Sequence, residues 1–351
     1  FMRIVRTSNN TLMLNLLLEV SLYYRYPYFI YNHRGVFGNP QKLKAVLASL
    51  VTQLQHKNWV RLTQDIQRIY HEFLLPIVRL VDQAVSGRNL PEQIPFRWHI
   101  YWDQQQRSYS IAAEIMQHIH LRLFTPGKYL PSYASLADKY RVSIGTIRKA
   151  MRLLHHLGVV QILNGQGTKV MPFKPIRISI QPFRPELEKN FLYYLQSLQV
   201  LALTSDSLAL YVFPHSTLQQ LEQLLLQIEQ IIPTRSYSLL LNICLRVFIA
   251  ACPSPCTAAI YERLAQLLTW GYPLSMFLSP MPKSCQKTIQ VHIRQLLASF
   301  KQQNADGFAA SFQDLCCIGM KNDQQQLLQF GIEDAKGFKA PAYHITDRQD
   351  A

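Results

Sequence analysis

No cysteine occurs in the first 243 residues; all six, Cys244, Cys252, Cys256, Cys285, Cys316 and Cys317, lie further on. Cys252-Pro-Ser-Pro-Cys256 is a loose pair with no second pair at zinc-ligand spacing. Buried reduced thiols are therefore expected, and with them a cytoplasmic protein. Long uncharged apolar runs are also missing. The longest, Leu239 to Cys252, is interrupted by Asn242 and Arg246 and is too short to cross a bilayer, so no membrane contact is expected. Glu19 breaks the amino-terminal apolar stretch, so no cleavable signal pattern is expected. The chain has no Walker or dinucleotide glycine motif, no GxSxG, no HExxH and no paired CxxC, so neither an enzyme nor a cofactor is expected.

Acid is scarce as well, with 21 Asp and Glu against 36 Lys and Arg and a net charge of +15 over 351 residues. The excess is uneven. Residues 1–105 hold 12 basic and 6 acidic side chains, residues 106–172 hold 9 and 2, and residues 186–351 hold 12 and 13. A nearly neutral carboxy-terminal part is a poor nucleic-acid surface, whereas the middle suits a phosphate backbone.

That basic middle reads as three helices and a hairpin. Ile111, Ile115, Ile119 and Leu123 recur at helical spacing, predicting a helix over Ile111 to Phe124 that Pro126-Gly127 ends. Ser132 can cap a second helix, Tyr133 to Tyr140, and Ser143 a third, reaching about His156. On the third, Ile147, Ala150, Met151 and Leu154 share one side, while Ile144, Gly145, Arg148 and Arg152 lie on or beside the opposite one. Gly158 stops it. Val159 to Leu163 and Thr168 to Met171 then read as strands around the tip Asn164-Gly165-Gln166-Gly167. The expected fold class is mainly α, a central winged helix-turn-helix of three helices plus a β-hairpin wing, flanked by all-helical bundle domains.

Leu130-Pro131-Ser132, Leu136-Ala137, Val142-Ser143, Thr146-Ile147-Arg148-Lys149-Ala150, Gly158 and Gly165-Gln166-Gly167-Thr168 stand in the order and spacing of a family signature. The segment resembles the GntR-type bacterial transcription regulators, and the resemblance implies DNA binding. It implies a double-stranded operator contacted by Ser132, Tyr133, Ser143, Gly145, Thr146, Arg148, Lys149, Arg152, Asn164, Gly165, Gln166, Gly167 and Thr168. Two departures matter: the family commonly has arginine where Ala134 and Ile144 stand, so guanine readout is thinned. The rival reading is an adaptor using the winged helix for protein contacts.

Shifting the sequence by 246 places Thr11 on Thr257, Tyr26-Pro27 on Tyr272-Pro273, Asn58 on Asn304, and Leu62 and Ile66 on Phe308 and Phe312. The preserved helical positions and breakers predict an internal repeat. The expected partition is a partial helical domain at 1–85, a linker at 86–105, the winged helix at 106–172, a linker at 173–185, a helical bundle at 186–335 and a flexible tail at 336–351. The chain is expected to be a fragment of a longer tandem protein. Trp98, Tyr101 and Trp102 are expected to dock on helices rather than on bases.

Leucine spacing after residue 185 predicts helices at Leu187 to Leu203, about Ser207 to Tyr211, Ser216 to Ile232, Tyr237 to Ala251, Thr257 to Trp270, Thr288 to Gln303 and Ala305 to Met320. Beside a GntR-type reader this block resembles an FCD-type effector domain, a helical bundle around a small-ligand cavity. That resemblance implies a homodimer, or an intrachain pseudo-dimer, and a small-molecule effector whose binding residues the sequence does not define. A bundle that only dimerises is the other reading. Many such domains hold a divalent metal through an Asp and three His; here those places fall on Cys244, Phe248, His292 and Asp314, and in the amino-terminal copy on Met2, Val46 and Arg68. No metal is expected.

Overall fold

The computed structural model describes residues 9–24, 40–56, 58–86, 94–100, 107–120, 122–172, 184–231, 237–271, 274 and 283–339. Tyr26-Pro27, Tyr272-Pro273, Tyr101, Trp102, most of the second linker and residues 340–351 lie outside them. Two compact units arise, one from Phe1–Leu16 with Arg97–Ala351 and the other from Leu17–Phe96. The protein is mainly helical, and its one described sheet is a two-stranded hairpin in the middle of the chain.

The smaller unit contains α2 (Pro40–Gln55), α3 (Trp59–Ile69) and α4 (Leu75–Val85). Val46 and Leu50 bury the inner side of α2, and Ser49 donates to the buried Asp65 carboxylate of α3 at 2.5 Å. Between α3 and α4 the helix widens into a π turn, Tyr70–Leu74. Pro76 follows, and a wider turn relieves the clash its ring would make with the carbonyl of residue 72.

The larger unit begins at α1 (Thr11–Tyr23), within which the boundary between the units falls. Its long core helix is α8 (Arg184–Val212), joined by α9 (Leu218–Ile231), α10 (Tyr237–Ala251), α11 (Pro255–Leu268), α12 (Lys283–Lys301) and α13 (Ala305–Gln329). Two helices expected on either side of Thr204 are therefore one. The hydroxyl at the expected break is satisfied within the bundle: Thr204 Oγ1 donates to the Val200 carbonyl at 2.8 Å and accepts from Tyr261 at 2.8 Å. Phe248, Phe308 and Phe312 stack edge to face, with ring centroids 4.9 and 5.6 Å apart. The start of α1 is bound to α8, where Asn10 Nδ2 donates to the Gln196 carbonyl at 3.0 Å and to Gln199 Oε1 at 2.8 Å. Gln199 in turn donates to the Lys339 carbonyl at 2.9 Å. The expected tail thus starts with an ordered, docked segment.

Tyr194 of α8 donates to the buried Asp323 of α13, and Asn322 donates to the other carboxylate oxygen at 2.8 Å. Gly271 lies against the same ring, and a Cβ there would meet the Tyr194 hydroxyl oxygen at 2.6 Å. Because that hydroxyl is held by Asp323, Gly271→Ala is expected to destabilise the bundle by about 1–3 kcal/mol. Urea unfolding checks this; an unchanged midpoint would mean that the ring gives way freely.

Trp98 is buried and its indole N–H donates to Asn15 Oδ1 at 2.7 Å, so it is unavailable for stacking on bases. Cys244, Cys252, Cys316 and Cys317 carry free thiols, and burial pushes Cys244 up to about 12. His292 Nδ1 lies 3.6 Å from Asp314 Oδ2, and among the described residues no three His, Cys, Asp or Glu side chains converge on a point that could hold a metal. Among the described residues no helix is long and apolar enough to cross a membrane.

Candidate nucleic-acid interface

Three helices build the reader: α5 (Arg107–His120), α6 (Tyr133–Tyr140) and α7 (Ile144–His156). Helix α5 begins and ends earlier than its periodicity predicts. Arg122 takes a left-handed φ of 57°, its N–H reaches the Ile119 carbonyl at 3.0 Å and that of Leu123 reaches His118 at 2.8 Å. This is a Schellman end made by an arginine instead of a glycine, and it leaves Leu123 67 % exposed, off the apolar face where its spacing placed it.

The turn between α6 and α7 is formed the same way. Arg141 has φ 50°, with Arg141 N–H bonded to Asp138 O at 3.1 Å and Val142 N–H to Ala137 O at 3.0 Å. Ser143 follows at once as the N-cap of α7, its Oγ accepting the Thr146 N–H at 3.2 Å. Ser132 does the same for α6, accepting from Ser135 at 3.1 Å. With both helix starts fixed by side-chain caps, the phase of α7 is set by its core: Ile147, Ala150, Met151 and Leu154 are fully buried. The other side of the same cylinder is then forced outward, and Ile144, Gly145, Arg148 and Arg152 are exposed.

The wing consists of β1 (Val160–Leu163) and β2 (Gly167–Val170), antiparallel with Leu163 opposite Gly167. Gly165 and Gly167 have φ of 74° and 110°, which side-chain-bearing residues rarely adopt, so the tip needs glycine at both places. Asn164, Gly165 and Gln166 project into solvent. A third segment that periodicity does not reveal adds to the hairpin. The Leu130 N–H donates to Thr168 O and the Val170 N–H to Lys128 O, both at 2.8 Å, and Tyr129 reaches Gln166 Oε1 at 3.5 Å.

The exposed residues of this set are Ser132, Ser143, Gly145, Arg148, Arg152, Asn164, Gly165, Gln166 and Gly167; Thr146 and Lys149 are half-buried beside them. Thr168 is different. It is buried, and its hydroxyl donates to the half-buried Tyr133 hydroxyl at 3.2 Å. That bond ties the wing to α6 and turns the Thr168 hydroxyl inward, while the Tyr133 hydroxyl accepts it. The residues missed by sequence are Tyr129, exposed against the wing tip, and Lys128, exposed beside it; their signal was only the turn glycine before them.

Residues 107–170 match the family described as bacterial regulatory proteins, gntR family. No curated protein matches the chain. Among solved structures, a GntR protein of Streptococcus agalactiae is 16 % identical, with 61 % of this chain and 99 % of that one covered and a TM-score of 0.29. Escherichia coli McbR/YncC is also 16 % identical, over 65 % of this chain and 99 % of that one, with a TM-score of 0.30. A GntR-family transcriptional regulator of Pseudomonas syringae is 13 % identical over 72 % and 94 %, with a TM-score of 0.24. Scores this low do not carry the family beyond the matched segment. Within it, helices, turn, recognition helix and wing agree with the sequence match: residues 107–170 of this chain are a winged helix-turn-helix DNA-binding domain of the bacterial GntR regulatory family.

Proposed function

We propose that this protein is a transcription regulator that places α7 in the major groove of a double-stranded operator and its wing against the backbone, and that its helical parts pair two readers and sense a small effector. One observation carries the reading. Arg148 and Arg152 emerge on the exposed side of a helix whose opposite side is locked into the core, and the only carboxylate on α6 and α7, Asp138, sits on the neighbouring helix. Ser143 and Thr146 at the start of α7 would bond phosphates and fix its register; Arg148 would reach base edges or phosphate. The operator is expected to be two-fold, read by the two readers of a homodimer or of an intrachain pseudo-dimer.

Effector sensing is supported by a cavity of about 320 Å³ where the reader meets the bundle, lined by Glu114, Gln117 and His118 of α5, by Arg263 and Gln266 of α11 and by Trp270 just beyond the end of α11. Burial and the nearby Lys139 hold the His118 imidazole below its ordinary range. A molecule wedged there would bias the angle between reader and bundle, which is the population shift a regulator needs. Duplication of the helical part is supported by a shared corner. Asn58 N–H bonds Gln53 O at 2.9 Å and Asn304 N–H bonds Ser299 O at 2.8 Å, and each asparagine then caps the next helix.

The test is selection of duplexes from a random-sequence pool, followed by anisotropy of the selected duplex in a salt series. A competitor-resistant site is expected, with affinity falling steeply as salt rises through counterion release. A flat salt response with no selected site would instead favour an adaptor that uses the winged helix for protein contacts.

A further inference from the structure

We infer that the reader recognises the 5-methyl groups of thymine in the major groove, through an apolar patch made by Ile144 and Ala134; this rests on the operator-binding reading above. Ile144 is the first residue of the recognition helix α7, directly after the Ser143 cap, and is 46 % exposed. An isoleucine at that place has no core to serve, because Ile147, Ala150, Met151 and Leu154 already fill the inner side of the helix. Ala134, the second residue of α6, is likewise exposed. The two line one shallow depression across the helix-turn-helix corner, whose floor is the buried Ala137 and whose edge is Val142, with Asp138, Arg141 and Ser143 supplying its polar rim.

The amino-terminal residues of a recognition helix are the ones that meet base edges. In the major groove only the A·T pair offers a methyl group, on C5 of thymine; the G·C pair offers the guanine N7 and O6 acceptors and the cytosine amino donor, which an aliphatic side chain leaves unbonded. An aliphatic residue at the leading position of α7 therefore gains by burying a methyl and loses by covering a polar edge. Gly145, exposed one residue further on, lets the backbone come close enough for that contact. Arg148, one helical turn after Ile144, would then sit over the adjacent base or phosphate. The readout is thus divided, methyl contact at the start of α7 and a guanidinium one turn later.

Replacement of thymine by deoxyuridine removes the methyl and nothing else. In the selected duplex, wild-type protein should lose about fourfold in affinity for each contacted methyl, the factor given by burying one carbon group. Ile144→Ala should bind the thymine duplex about as weakly as wild type binds the uracil duplex, and should be nearly indifferent to the exchange. A selected site whose affinity is unaffected by uracil at every position, with the salt dependence intact, would overturn the methyl contact while leaving the regulator standing. Failure to select any site would remove both. Substitution elsewhere on the surface, Lys301→Ala, serves as the control that should respond to uracil as wild type does.

Discussion

Arg148→Ala is expected to lower affinity for the selected operator by roughly 1–3 kcal/mol, about five- to 150-fold. The side chain is exposed on α7 one turn beyond the capped amino terminus, and the buried row Ile147, Ala150, Met151 and Leu154 prevents the helix from rotating to compensate. Anisotropy titrations at several salt concentrations distinguish its two possible partners. Loss of a phosphate contact would weaken all sequences alike and reduce the salt slope by about one. Loss of a base contact would relax preference at one operator position and leave the slope almost intact. A variant that binds the operator as wild type does, at every salt concentration, would remove α7 from the interface.

The two short helices of the reader were legible to the residue because their starts are written as serines. Ser132 and Ser143 each accept the N–H three residues on, and a cap of that kind fixes an end that periodicity alone leaves open. Where an end had neither such a signature nor a capped helix directly after it, the sequence was silent. Arg122 and Gln303 both adopt left-handed φ, 57° and 56°, at places where a glycine would have announced the stop. Helix α8 illustrates the converse. Thr204, Ser205, Asp206 and Ser207 read as a break, yet Ser205 is buried and Thr204 is bonded back to its own helix, so tertiary packing overrode local preference. In the site, exposure of Arg148 and Arg152 followed from the buried row opposite, whereas the inward turn of Thr168 depended on a bond to Tyr133, 35 residues away, which a hairpin pattern cannot encode. The docking of Asn10 on α8 is longer in range still and left no trace in composition or spacing.

The buried pair that joins α8 to α13 should make stability depend on pH in the direction opposite to ordinary acid denaturation. Burial raises the Asp323 carboxyl to about 6, although the bonds from Tyr194 and Asn322 pull the other way, and burial with Asp323 nearby pushes the Tyr194 phenol up, so it stays protonated. An unfolded aspartate titrates near 3.9. Between about 4 and 6 the folded protein therefore retains a proton that the unfolded chain has released. Stability from this group is fully present below about pH 4, falls as pH rises through the window, and is lost above about 6, an effect on the order of 3 kcal/mol. Other carboxylates titrate over the same range, so the measurement is a difference: urea unfolding of wild type and Asp323→Asn from pH 4 to 7. The asparagine is neutral throughout, and wild type should lose ground to it steadily across the window and no further beyond. A difference that stays constant with pH would mean that Asp323 exchanges no proton on folding, and that water reaches a carboxylate buried between α8 and α13.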